Sequence, residues 1–332
     1  MQSVATLSTA TGVTAVRGRA AVISAPGRID LQEIKFREPR VGEVRVRLEG
    51  CGVCASNLPL WEGKPWFEYP IKPGAPGHEA WGRIEATGAS INDLAPGDRV
   101  AMISSHGFAE YDFAPASQVV RLPESLDHQP FPGEALGCAV NILRRARLMP
   151  GETVAIVGVG FLGTLLTQLG SRAGTNVFAI SRRRSSLEMA KEFGAAAAIE
   201  AGRALEVAKR LTQGRGCNCV IEAAGTQQSL DLATELTSEG GRLVIAGYHQ
   251  DGPRQVNMQL WNWRGLDVIN AHERNPDVYV DGIRGAILAV ESGVMDPLPL
   301  YTHKFAFDEL PRAFEALAQS PEGFIKGVVL YE

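Results

Sequence analysis

The stretch "ETVAIVGVGFLG" restricts this chain more tightly than any other. A short apolar run at 153–157 leads into Gly158, Gly160 and Gly163 in G-x-G-x-x-G order, and "FLGTLLTQLGSRAG" then continues with helical periodicity. A strand–loop–helix turn that cradles a dinucleotide needs those three glycines. The first permits the tight turn, the second lets backbone approach a pyrophosphate, and the third lets helix and strand pack closely. The helix N-terminus offers free N–H groups to the anion. The bland alternative is a tight βα turn with no ligand, but the next segment, "NVFAIS", reads as a second strand and completes a βαβ unit. Phe161 and Leu162, between the glycines, and Ala246, in "GRLVIAG", are further cofactor-binding positions.

The alternation continues through helix "SSLEMAKEFGA", strand "CVIEAAG", helix "QSLDLATELTS" and strand "GRLVIAG", so a parallel sheet covered by helices on both faces is expected. Before about residue 135 the texture differs. Short strands such as "RAAVISA", "EVRVRLEG", "GRIEATGA" and "GDRVAMIS" are separated by Pro/Gly turns, and this part should be mostly β. After about 268 come helices at "VDGIRGAILAVESG" and "DELPRAFEALAQS" and a closing strand, "KGVVLYE". Residues 1–18 read as a loosely held arm.

An enzyme that prefers NAD usually places an acid at the end of the second strand, about 20 residues after the glycines, to bind the adenosine ribose hydroxyls. Here that place holds "SRRR". Ser181 has no charge to repel a 2′-phosphate, and Arg182 and Arg183, with Arg184 behind them, can bond to one. The expected cofactor is NADP(H). The alternative is three solvated loop arginines.

A net charge of -4 with no long basic run gives no electrostatic reason to bind nucleic acid or an anionic membrane. No apolar run is long enough to span a bilayer and no secretory core is visible, so a cytoplasmic protein is expected. Five cysteines are too few for a disulfide scaffold in a chain of 332 residues, which leaves free thiols or metal ligands. Two of them, Cys51 and Cys54, form a C-x-x-C that would suit a zinc knuckle or a redox pair equally well.

"CGVCASNLPLW", "PGHEAWGRIEATGASINDLAPGDRV", "GEALGCAVN", "PGETVAIVGVGFLG" and "KEFGAA" follow the order and spacing of one family. Over nearly its whole length the chain resembles the zinc-containing medium-chain alcohol and polyol dehydrogenases, in their sorbitol-dehydrogenase-like branch. The resemblance implies an α/β fold, with a GroES-like β-rich catalytic domain at 1–134 and 268–332 around a doubly wound Rossmann domain at 135–267. It also implies one catalytic zinc held by Cys54, His78 and Glu134, with a fourth position open. Glu134 lies 24 residues before Gly158, and Cys138, one helical turn on, could stand in for it. Cys51 is then a packed thiol, and Cys217 and Cys219 are core residues. Glu79 takes the place of a carboxylate that tunes the metal site, and Ser56 that of the hydroxyl that exchanges the substrate proton. Pro59 stands where many relatives continue that relay with a His. The cysteine-rich lobe that carries a structural zinc in many members is missing, so no second zinc is expected.

The resemblance implies hydride transfer between NADP(H) and a small alcohol/carbonyl pair, a polyol, sugar or secondary alcohol, by a homodimer or homotetramer. "GRLVIAGYHQ" is the candidate dimer strand. Trp61, Trp66 and Phe67 are candidates to wall the substrate pocket, with His106 behind them. The rival readings are a zinc-free quinone or enone reductase and a non-catalytic NADPH-binding protein.

Overall fold

The computed structural model describes residues 15–332. The arm expected at 1–18 lies largely outside that range, and its last residues already belong to a strand, Val16–Ala25. That strand folds back at Gly27, whose φ of 68° suits a tight turn, onto Arg28–Phe36, a second strand not anticipated from the sequence.

Two larger sheets follow. One is parallel and has six strands in the order Ala197–Glu200, Asn176–Ser181, Thr153–Val157, Cys217–Glu222, Thr237–Ile245, Asp267–Asn270. Val154, Ala155 and Ile156 are fully buried, as a strand covered on both faces requires. The chain order reverses direction between Thr153–Val157 and Cys217–Glu222. In such sheets a crevice opens beyond the carboxyl ends of the strands at that point. "GRLVIAG" lies in the fifth strand, paired on both sides, so it cannot be the exposed edge expected for a dimer strand. The free edge on that side is Asp267–Asn270. That strand also straddles the boundary drawn at 267/268, so the parallel sheet runs on to Asn270.

The other large sheet is built around the long strand Glu43–Val53, which pairs with Ala80–Thr87, with Tyr111–Pro115 and with the C-terminal strand Gly327–Leu330. Its own core gathers Val46, Leu48, Ile84, Val100, Phe108 and Phe314. Helix Gly133–Ala146 lies against Pro276–Glu291, and Asn141 Nδ2 donates to Val278 O at 3.0 Å. These two helices are where the chain passes between the sheets.

Candidate active site

The glycine turn meets its geometric demands. Gly158 has φ 102°, which side chains rarely adopt, and a Cβ on Gly163 would stand 2.0 Å from Gly158 O. At Gly160 the nearest atom to such a Cβ is Arg183 Nη2 at 3.8 Å, so the backbone there is open to a ligand. Helix Phe161–Arg172 starts at this point, its first N–H groups without partners in the helix, and Phe161, Leu162 and Gly163 line the cleft.

Across the crevice, Cys54 follows the strand Glu43–Val53 and precedes a short turn, while His78 and Glu79 stand just before the strand Ala80–Thr87. Antiparallel pairing of those two strands brings the residues together. One ligand atom each from Cys54, His78 and Glu79 lie within 4.8 Å of one another. His78 Nδ1 lies 2.9 Å from Pro76 O and donates to it, which leaves Nε2 for the cluster, 3.4 Å from Ser56 Oγ. Burial pulls the His78 pKa down, but Cys54, Glu134 and Glu79 outweigh it and raise it to about 10.

Glu134 stands half-buried in the first turn of helix Gly133–Ala146, and desolvation there pushes its pKa up against the pull of His78. It is not part of the compact group of three. Its Oε1 accepts from the Cys138 thiol at 3.2 Å. The structure thus pairs Glu134 with Cys138 and puts Glu79 closer to Cys54 and His78 than the expected ligand set did.

Glu79 is 1% exposed and meets Lys326, which the sequence reading missed. Lys326 Nζ donates to Glu79 Oε1 at 2.7 Å and lies 2.5 Å from Oε2, so one ammonium bridges both carboxylate oxygens. The lysine also sits over the Phe161 ring at 4.9 Å, which ties the site to the glycine loop. Gly52 makes room for the pair: a Cβ there would fall 1.8 Å from Glu79 Oε2.

The donor set fits a zinc ion. It combines a thiol, an imidazole nitrogen with its other nitrogen already bonded, and a buried carboxylate, all within 4.8 Å of one another.

One cleft of about 1420 Å³ is lined by Cys54, Ser56, His78, Glu79 and Glu134, by 158–163, by Ser181, Arg182 and Arg183, and by Ala246. The arginines differ. Arg182 is exposed, Arg184 pairs with Glu188, and Arg183 is half-buried with its pKa lowered by that burial. The aromatic loop does not wall the cleft. Trp61 is buried against Phe314 with ring centroids 5.2 Å apart, Trp66 is 53% exposed, and Leu58, Pro59 and Lys64 line the cleft instead. His106 also stands outside it, beside Asp112. Cys51, Cys217 and Cys219 are fully buried, and burial raises their thiol pKa values. A second missed residue is Glu222, fully buried at the end of its strand. It accepts from the N–H groups of Ala224 and Gly225 and lies 2.9 Å from His249 Nε2, which stiffens the loop opposite the glycines.

A dinucleotide turn and a set of metal donors, carried on separate sheets and facing one cleft, define a two-domain nucleotide-dependent dehydrogenase. The comparisons agree. Residues 40–124 match the alcohol dehydrogenase GroES-like domain and 162–282 the zinc-binding dehydrogenase domain, together more than half of the chain. The chain belongs to the zinc-containing medium-chain alcohol and polyol dehydrogenase family. It is 25% identical to the sorbitol dehydrogenase of Bacillus subtilis, over 94% of this chain and 96% of that one. A putative zinc-binding dehydrogenase from Sinorhizobium meliloti bound to NADP superposes with a TM-score of 0.81 at 26% identity, covering 95% of this chain and 99% of that one. A short chain alcohol dehydrogenase from Escherichia coli complexed with NADH shares the fold, with a TM-score of 0.84 at 23% identity and coverage of 95% and 99%. Among the described residues no helix is long and apolar enough to cross a membrane.

Proposed function

We propose that this oxidoreductase is a zinc-dependent, NADP(H)-preferring dehydrogenase of polyols, sugars or secondary alcohols. The observation that carries the reading is the group formed by Cys54, His78 and Glu79, which opens on the same cleft as the glycine turn. Cys54 and His78 would hold zinc with Glu134 as third ligand, or with Glu79 in its place. Bound zinc polarises an alcohol or carbonyl oxygen, and bound nicotinamide accepts or gives hydride. The chain does the rest. Ser56, 3.4 Å from His78 Nε2, exchanges the hydroxyl proton. Lys326 holds the Glu79 carboxylate beside the metal donors. The glycine turn and the helix behind it receive the pyrophosphate, and Ser181, Arg182 and Arg183 receive the 2′-phosphate. The Cys/His/Glu set speaks against a zinc-free enone reductase, and the serine beside it against a non-catalytic binder. We also propose a division into a catalytic domain, 1–134 with the C-terminal segment, and a nucleotide domain ending at 270, and pairing of subunits through the edge Asp267–Asn270.

The test is a screen of zinc-replete protein with NADPH and NADP⁺ against polyols, sugars, aryl alcohols and aliphatic ketones, read by nicotinamide absorbance. Turnover is expected with one of these classes and should vanish on chelation. Turnover indifferent to chelation, or none across the panel, overturns the proposal.

A further inference from the structure

No acid stands at the end of Asn176–Ser181, but a distant part of the chain brings one against the residues that follow it. The loop joining Leu310–Gln319 to Gly327–Leu330 touches the "SRRR" segment twice, through Arg183, and the residue after it, Ser185, once. Arg183 Nη1 donates to Ser320 Oγ at 2.7 Å and to Phe324 O at 2.9 Å. Between those contacts Glu322 Oε1 accepts from Ser185 N at 3.2 Å, in the first turn of helix Arg184–Glu192. Ser320 and Phe324 line the cleft with Ser181, Arg182 and Arg183. Glu322 is exposed, and its carboxyl is held below the usual range by the hydrogen bond from Ser185 and by the charge of Arg183.

We propose that Glu322 is a specificity-determining residue of the cofactor site, an internal carboxylate that opposes the 2′-phosphate of NADP and leaves the free 2′-hydroxyl of NAD unopposed. The inference rests on the reading that "SRRR" faces the adenosine ribose. A phosphomonoester brings about 1.5 to 2 negative charges near neutral pH. Arg183 holds Ser320 and Phe324 through Nη1 alone, which leaves Nη2 and Nε for the phosphate. Glu322 has to accept a like charge beside it or swing away from Ser185. Cofactor preference is then a difference between the attraction of Arg182 and Arg183 and the repulsion of Glu322. A carboxylate on the loop between helix and strand thus does part of what an acid at the strand end does in NAD enzymes.

Glu322→Gln tests this, because glutamine keeps an oxygen for Ser185 N and removes only the charge. The full chain, loaded with zinc, is titrated with NADPH and with NADH by nicotinamide fluorescence at low and raised ionic strength. At low salt the variant should bind NADPH about three- to tenfold more tightly than the unmodified protein, and the gain should shrink as salt screens the charges. NADH affinity should stay the same. An unchanged NADPH affinity, or an equal change for both dinucleotides, overturns the proposal. The NADPH/NADH ratio of the unmodified protein is a separate readout: a preference for NADH there counts against NADP(H) as cofactor, whereas the response to Glu322→Gln judges Glu322 whichever way that ratio falls.

Discussion

Lys326→Met removes the cation from a pair whose side chains are 6% and 1% exposed. Methionine keeps an apolar stem of similar length over Phe161, so the change is chiefly electrostatic. Glu79 is then left buried without its counter-ion, and breaking such a pair from one side costs about 3–5 kcal/mol. Adding Glu79→Gln removes the stranded charge and leaves a neutral amide whose imperfect hydrogen bonding costs about 1–3 kcal/mol. In metal-free protein the double variant should therefore be more stable than the single one, by about 2 kcal/mol. Urea unfolding followed by tryptophan fluorescence reads the difference, since Trp81 packs in one cluster with Val328 and Tyr301 beside the site. Burial lowers the Lys326 pKa, but Glu79 and Cys54 more than restore it, and the net value lies above the ordinary 10.5. A cationic group with a raised folded pKa contributes fully below its unfolded pKa and loses that contribution only as pH rises through the folded one. The penalty of Lys326→Met should accordingly be the same at pH 7 and pH 9. A single variant that loses less than about 1 kcal/mol, or a double variant no more stable than the single, would refute the reasoning.

Cys54→Ser should strip most of the bound zinc, read by metal analysis after dialysis, while Cys51→Ser keeps it; equal losses would mean that the two cysteines act together. Ser181→Asp combined with Arg182→Ala should move the ratio of kcat/KM for NADP over NAD towards NAD by about tenfold or more, since each charge-assisted bond lost is worth about 1.5–3 kcal/mol; a ratio that does not move removes these residues from cofactor choice. Val268, 38% exposed on the edge strand, is a place where lysine blocks strand pairing. Val268→Lys should reduce the mass seen by light scattering, and an oligomer that persists would put the interface elsewhere.

What could be read from the sequence was local. The glycine turn is written within a few residues, because each glycine answers a demand of the adjoining strand or helix, and the same holds for the βα alternation around it. Cys54 and His78 were singled out through the family resemblance, and they meet because each flanks one of two paired strands. Lys326 had no such signal. A lone lysine before a C-terminal strand looks solvated, and only the pairing of Gly327–Leu330 with Glu43–Val53 carries it to Glu79. The hold of Ser320 and Phe324 on Arg183 is equally non-local. Trp61 and Trp66 were misread because an aromatic next to a metal ligand in sequence can point into the core or to solvent, and the fold sends one each way. The dimer strand was misjudged because Asp267–Asn270 is short and only weakly strand-like, which hid the fact that it covers "GRLVIAG".

The return of the last strand has a consequence for the order in which a growing chain acquires structure. Cys51 pairs in register with Val329, so the sheet that carries Cys54 and His78 lacks a neighbour until Gly327–Leu330 has been made. The parallel sheet, by contrast, draws all six strands from one contiguous stretch, 153–270. On a ribosome that stretch can collapse as a unit while the segment before it waits, with the apolar face of Glu43–Val53 exposed to chaperones. A nascent chain halted before Gly327–Leu330 has left the ribosome should thus protect the nucleotide half from protease and leave the amino-terminal half open to it, and Lys326 reaches Glu79 only after that strand has paired.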